Sequence, residues 1–172
     1  LEWLDQVLTN GNWEFWERYR RYLEDVRTLP PRVVRRLDQS TNRVLEHIED
    51  PHRPGRWRRT GLVVGQVQSG KTGNYIGLAC KAADAGYKLI IILAGIHNSL
   101  RSQTQLRVDE GLLGFDTQYQ QRSDQTNGSS RIGVGAMPGV TRLKIASLTN
   151  SSEKGDFNRR VASSMNLPIG DF

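Results

Sequence analysis

The sequence predicts an α/β fold, a parallel sheet flanked by helices and preceded by an N-terminal helical segment. Three observations predict it. The first fifty residues carry apolar side chains at helical spacing. From Gly61 onward, two short apolar runs, "GLVVG" and "YKLIIILAG", are each followed by a helical pattern. Between the first run and its helix lies "GQVQSGKT", residues 65–72, which meets G-x-x-x-x-G-K-[ST] without a mismatch. Strand, loop, helix, strand, helix is a βαβα unit, and a right-handed crossover would put both strands in one parallel sheet.

The elements follow in order. "LEWLDQVLT" is a short amphipathic helix. "NWEFWERYRRYLEDV" is a second, with Asn12 as its expected cap and Trp13, Trp16, Leu23 and Val26 recurring toward a core. "LPPRVVRRL" opens another helix on proline, and "DQSTNRVLEHIED" continues it with Val44, Leu45 and Ile48 on one face. Two prolines, a glycine and four arginines in "PHRPGRWRRT" then make a basic loop. Residues 1–59 are thus a helical segment with a basic loop, and 60–172 the sheet-bearing part.

"KTGNYIGLACKAADAG" reads as a helix ending at Gly86, with Cys80 facing inward beside Ile76 and Ala83. "YKLIIILAG" is continuous rather than alternating, as a buried parallel strand is. "NSLRSQTQLRVDEGLL" is a helix opened by Asn98, and "RLKIASLTN" a third strand. Residues 116–130 are polar with little to bury and read as a mobile loop. "SSEKGDFNRRVASSM" reads as a loop leading into a weak helix.

Composition sets outer bounds. The chain has 172 residues, 37% of them hydrophobic, enough for one buried core. It starts at Leu1 and stops at "LPIGDF", which suggests a piece of something larger. Its net charge is +6, and 19 of its 24 basic residues are arginine. That balance is compatible with a polyanion partner without demanding one. A single cysteine excludes an internal disulfide and a cysteine-based zinc site. No run has membrane-span length and no secretory signal is visible, so a cytoplasmic setting is the default and no membrane partner is expected.

The phosphate-loop pattern carries the chemistry. Its glycines let the backbone close on an anion. Gly65 and Gly70 frame the turn, and the N–H groups of Val67, Gln68, Ser69 and Gly70 can converge on the β-phosphate of ATP. Lys71 supplies a point charge to the β- and γ-phosphates, and Thr72 a hydroxyl for Mg²⁺. Lys71 and Thr72 are therefore the candidate catalytic pair. The side chains of Gln66 and Gln68 either touch phosphate or stand exposed. Arg53, Arg56, Trp57, Arg58 and Arg59 precede the first strand and form either a base-stacking group for adenine or a basic surface loop. His97 reads as a loop or cap residue. Hydrolysis needs an acidic residue at another strand end, yet "KLIIILAG" ends in Ala-Gly and "RLKIASLTN" in Thr-Asn. No Asn-Lys-x-Asp guanine-reading element is present, and the basic loop lies on the wrong side of the first strand for a kinase lid.

The segments "VQSGKT", "KAADAGYKLIIILAG", "HNSLRSQTQLR" and the upstream "LDQSTNRVLEHIEDP" resemble the Z-one domain family, bacterial proteins with helicase-like ATPase cores for which an endonuclease role is inferred. The similarity covers residues 37–115, with a weaker echo at "SLTNSSEKGDF". It implies a three-layer, RecA-like lobe of the superfamily-two type, here its first part. It also implies a longer protein that holds the acidic motif, ATP hydrolysis with Mg²⁺, and DNA as partner in restriction-like or antiphage defence, with partner subunits of such a system. Carried over residue by residue, Gly65, Gly70, Lys71 and Thr72 fall on the nucleotide site. "NSLRSQTQLR" falls where helicase-like proteins contact a nucleic-acid backbone, which makes Arg101, Gln103, Thr104 and Arg107 candidates. Arg101 and Arg107 are six apart and lie on different sides of an ideal helix, so a capped helix with a solvated face is the competing reading. A nucleotide-binding regulatory or scaffold module without turnover is the competing function.

Overall fold

The structure, a computed structural model, describes residues 2–65, 70–95, 97–120 and 130–152. They belong to two compact units, Leu1–Ile92 and Leu93–Phe172.

The first unit is helical. It contains α1 (Glu2–Asn10), α2 (Glu14–Arg21, running on as a π-helical turn over Tyr22–Val26), α3 (Pro31–His47) and α4 (Lys71–Asp84). Of the residues whose spacing points to a core, Trp16 and Leu23 are buried and Trp13 is half-buried; Tyr19, which that spacing does not include, is buried as well. Val26, at the end of the π-helical turn, is exposed. Proline opens α3 as expected, and its inner face buries Val34, Thr41 and Leu45. On α4, Ile76 and Cys80 are fully inside, and burial pushes the Cys80 thiol far above its ordinary range.

α3 and α4 run side by side in the same direction, since Leu37 lies beside Gly73 and Thr41 beside Gly77. A Cβ at Gly77 would sit 3.1 Å from a ring carbon of Trp16 and 3.4 Å from the Thr41 methyl. Only glycine lets the three helices meet this closely. Two polar ties fix the register. Asn74 Nδ2 donates to Ser40 Oγ at 2.7 Å. Lys81, buried on α4, donates to Asp38 Oδ1 at 2.6 Å, Asp38 O at 2.9 Å and Asn42 Oδ1 at 2.5 Å. Its ammonium also lies 4.3 Å from the Trp16 ring centroid. Burial lowers the Lys81 pKa, and the bonds to Asp38 work against that shift.

The start of α2 is capped from a distance. Asn12 turns to Glu14, with Nδ2 donating to Oε1 at 2.7 Å, and makes no cap to the helix. The free N–H groups of Phe15 and Trp16 instead donate to Asp84 Oδ1 and Oδ2, at 3.0 and 2.8 Å. Burial pushes the Asp84 carboxyl up to about 6 from 3.8, although both N–H bonds favour the charged form. The folded state therefore holds the proton more tightly than the unfolded state. The associated stability is complete below 3.8 and is lost as pH rises through about 6. Relative to Asp84→Asn, the wild type should gain about 1 kcal/mol of unfolding free energy between pH 7.5 and pH 4.5, after allowance for partial solvent screening. Denaturant titrations at the two pH values check this, and a loss on acidification would contradict it.

The second unit is built on α5 (Asn98–Val108), which runs on as a π-helical turn over Asp109–Leu113. The short α6 (Thr117–Gln120) and a 3₁₀ turn at Gly133–Gly135 follow. His97, not Asn98, occupies the cap position of α5, and no side chain caps it. Asp109 is fully buried and organises the unit. It accepts from Gln105 Nε2 at 2.8 Å, Thr117 N at 3.0 Å and Thr117 Oγ1 at 2.7 Å. Burial raises its pKa, and these bonds oppose the rise.

The predicted parallel sheet, and with it the RecA-like lobe, is not found. No strand forms among the described residues, and the one β-pairing is an isolated antiparallel bridge between Phe115 and Arg131. "GLVVG", "YKLIIILAG" and "RLKIASLTN" are neither helix nor strand in their described residues. The physical reason is visible in their side chains. A buried parallel strand needs bonded neighbours and cover on its faces. Here Leu62 is 86% exposed, Val64 84% and Leu93 90%. In the third segment the polar side chains bond elsewhere: Ser147 Oγ donates to Thr149 O and Thr149 Oγ1 to Gln105 Oε1. Of the loop and weak helix expected over 151–165, all but Ser151 and Ser152 lie outside the described residues, as do 121–129 of the loop expected to be mobile.

Candidate phosphate-binding site

The site is built where the chain enters α4. Gly70 stands at the cap position with φ +79°, a left-handed conformation that glycine adopts without strain, and no atom of the described residues lies within 4 Å of where a Cβ would be. The first turn of α4 has no side-chain cap and no acidic residue. Its first internal bond is Asn74 N to Gly70 O, at 3.1 Å. The N–H groups of Lys71, Thr72 and Gly73 precede that bond, at a helix end whose dipole favours an anion.

Lys71 and Thr72 are both exposed. Lys71 Nζ donates to Gly65 O at 3.0 Å, so the first residue of the motif and its lysine are in contact. Val67, Gln68 and Ser69, and Gln66 with them, lie outside the described residues. No group of three or more His, Cys, Asp or Glu able to hold a metal occurs among the described residues. Mg²⁺ at this place would have the Thr72 hydroxyl and phosphate oxygens, a coordination that suits an ion reluctant to lose its water.

Asn74 is a residue that motif reading misses. It lies one turn into α4, and its bond to Ser40 anchors that turn to α3. The motif pattern ends at Thr72, so nothing in it points to Asn74.

The basic loop is partly committed inside the first unit. Arg53 Nη1 and Arg59 Nη2 both pair with Glu49 Oε2, at 2.7 and 2.9 Å. Trp57 is half-exposed and packs edge-on against Tyr87, with ring centroids 6.2 Å apart. The Tyr87 hydroxyl donates to Glu49 O. Arg56 and Arg58 remain exposed.

In the second unit the four α5 candidates separate. Arg101 donates Nη1 to Asn150 O at 2.9 Å and Nη2 to Ser152 O at 2.6 Å. Its terminal nitrogens are thus engaged in holding 150–152 against α5. Gln103 and Arg107 are exposed and share a face with Leu100 and Leu106. Arg107 pairs with Glu110 at 3.1 Å, and Thr104 Oγ1 donates to Leu100 O at 2.8 Å. The helix thus offers Gln103 and Arg107 outward and turns Arg101 inward.

No helix among the described residues is long and apolar enough to cross a membrane. Comparison with protein-family models, curated proteins and solved structures finds no match in any of the three.

Proposed function

We propose that this chain binds the triphosphate of ATP, with Mg²⁺, at the loop and first turn of α4. The observation that carries the reading is the helix start itself: an uncapped, acid-free first turn behind a left-handed Gly70, with the Lys71 ammonium held at the loop by Gly65 O. Gly70 and the first-turn N–H groups of α4 cradle phosphate. Lys71 exchanges the Gly65 carbonyl for β- and γ-phosphate oxygens, and Thr72 ligates the metal. Bound Mg²⁺ supplies charge neutralisation between the β- and γ-phosphates.

The wider proposal is that the site serves an ATPase acting on DNA. Its support is the resemblance of the segments "VQSGKT" and "HNSLRSQTQLR" to those of helicase-like ATPases, together with the outward Gln103 and Arg107 of α5. A second reading, a nucleotide-binding regulatory module, is favoured by the lack of the acidic residue that hydrolysis needs at the ends of "KLIIILAG" and "RLKIASLTN".

Calorimetric titration tests the binding. Mg·ATP should bind at least about tenfold tighter than AMP, because the charge-assisted bonds go to the outer phosphates. Equal affinity for AMP and ATP would overturn the reading. Phosphate release measured with and without DNA separates the two forms of it: DNA-stimulated release supports the ATPase, and binding with no release supports the regulatory module.

A further inference from the structure

We infer that the outer face of α3 is a docking surface for a nucleic-acid phosphodiester backbone. Its sequence is "PRVVRRLDQSTNRVLEH". At 3.6 residues per turn, Arg32, Arg36 and Arg43 fall within about 40° of one another, and Arg35 about 60° to the side. All four are exposed, as is Gln39 between them. Val34, Thr41 and Leu45 are buried on the opposite face. The arginines therefore project from a helix whose other side is fixed in the first unit.

None of the four is ion-paired or side-chain hydrogen-bonded among the described residues. Elsewhere in the same unit, helical arginines find carboxylates at this very spacing. Arg20 pairs with Glu17 and Glu24, at 2.5 and 3.1 Å, and Arg21 with Asp25 at 4.0 Å. On α3 the neighbour of Arg32 one turn on is Arg36, a like charge that weakens a bare helix. An anion lying along the face removes that cost. Of the carboxylates on the helix, Asp38 is committed to Lys81, and Glu46, three residues on from Arg43, forms no ion pair with it among the described residues.

The dimensions suit a backbone. From Arg32 to Arg43 is about 16 Å at 1.5 Å per residue, the axial length over which one strand of a duplex advances by about five phosphates, at 3.4 Å of axis each. Arginine forks grip phosphate bidentately. An acidic membrane surface fits less well, because a surface-bound helix needs a free apolar face, and that of α3 is already packed. The inference deepens the DNA-acting reading but uses none of the phosphate-loop residues, so Lys71→Ala should leave it intact and the two can fail separately.

The test is fluorescence anisotropy with a 20-bp DNA duplex and its RNA counterpart, across a salt series and without nucleotide. The variant carrying Arg32→Gln, Arg35→Gln, Arg36→Gln and Arg43→Gln should lower affinity about tenfold or more at 0.1 M salt. It should reduce the slope of log K against log salt by about 3. A control with Arg20→Gln, Arg21→Gln, Arg53→Gln and Arg59→Gln makes the same charge change at arginines already paired, and should shift the slope by less than about 1. Circular dichroism of both variants checks that the helices persist. Preference for DNA or for RNA identifies the source of the backbone. Equal effects of the two variants, or tighter binding of polyglutamate than of either nucleic acid at equal charge, would overturn the inference.

Discussion

Replacing Asp38 by alanine should destabilise the first unit by about 3 kcal/mol, whereas Lys81→Met should cost less than about 1.5 kcal/mol. The two residues form one ion pair at 2.6 Å, but its two ends live in different surroundings: the Lys81 side chain is 1% exposed and that of Asp38 40%. Removing Asp38 strands an ammonium inside the unit with one amide oxygen and one carbonyl to hold it. Removing the ammonium instead leaves a carboxylate that water already reaches. Methionine also keeps the unbranched stem against Trp16. Denaturant midpoints of the two variants and of the double variant check this. The double variant should lie close to Lys81→Met alone, because the cost of Asp38→Ala is the stranded charge. Equal losses in both single variants would mean that the pair acts as an ordinary surface salt bridge.

Lys71→Ala should weaken Mg·ATP binding about 100-fold, equivalent to about 2.7 kcal/mol, within the range for hydrogen bonds to charged groups. Folding stability should be unchanged or rise by a few tenths of a kcal/mol, since a cation at a helix N-terminus opposes the helix dipole. The opposite signs are the useful part. A variant that bound poorly because it was misfolded would lose stability together with affinity. Lys71→Arg should rescue little, because a planar fork does not replace a compact point charge reaching between two phosphates. Calorimetry and thermal melts on the same samples read both quantities.

What could be read from the residues was mostly local. Trp16 and Leu23 marked the buried side of α2 and its π-helical continuation, the prolines located the start of α3, and the Gly-Lys pair at 70–71 located the start of α4. The parallel sheet was misread because four or five consecutive apolar residues say only that a segment is suited to burial. Leu62, Val64 and Leu93 have that suitability without the neighbours that would use it. Three further features depend on residues far apart in the chain. Asp84 caps α2 from nearly seventy residues away. Lys81 finds Asp38 and Asn42 on another helix, and Arg101 holds carbonyls at 150 and 152. No local pattern encodes such partners. The arginine face of α3 differs: its periodicity was there to be read, but that the arginines lack carboxylate partners could be seen only in the structure.

The central claim is that phosphate sits on the first turn of α4. The most direct measurement is the backbone amide spectrum of the ¹⁵N-labelled chain, titrated first with tripolyphosphate and then with Mg·ATP. The account predicts that the amide signals of Gly70, Lys71, Thr72 and Gly73 move with both ligands, and that in Lys71→Ala they move only at far higher concentration. Shifts confined to other residues, such as the arginines of 53–59, or no shifts at all, would contradict it.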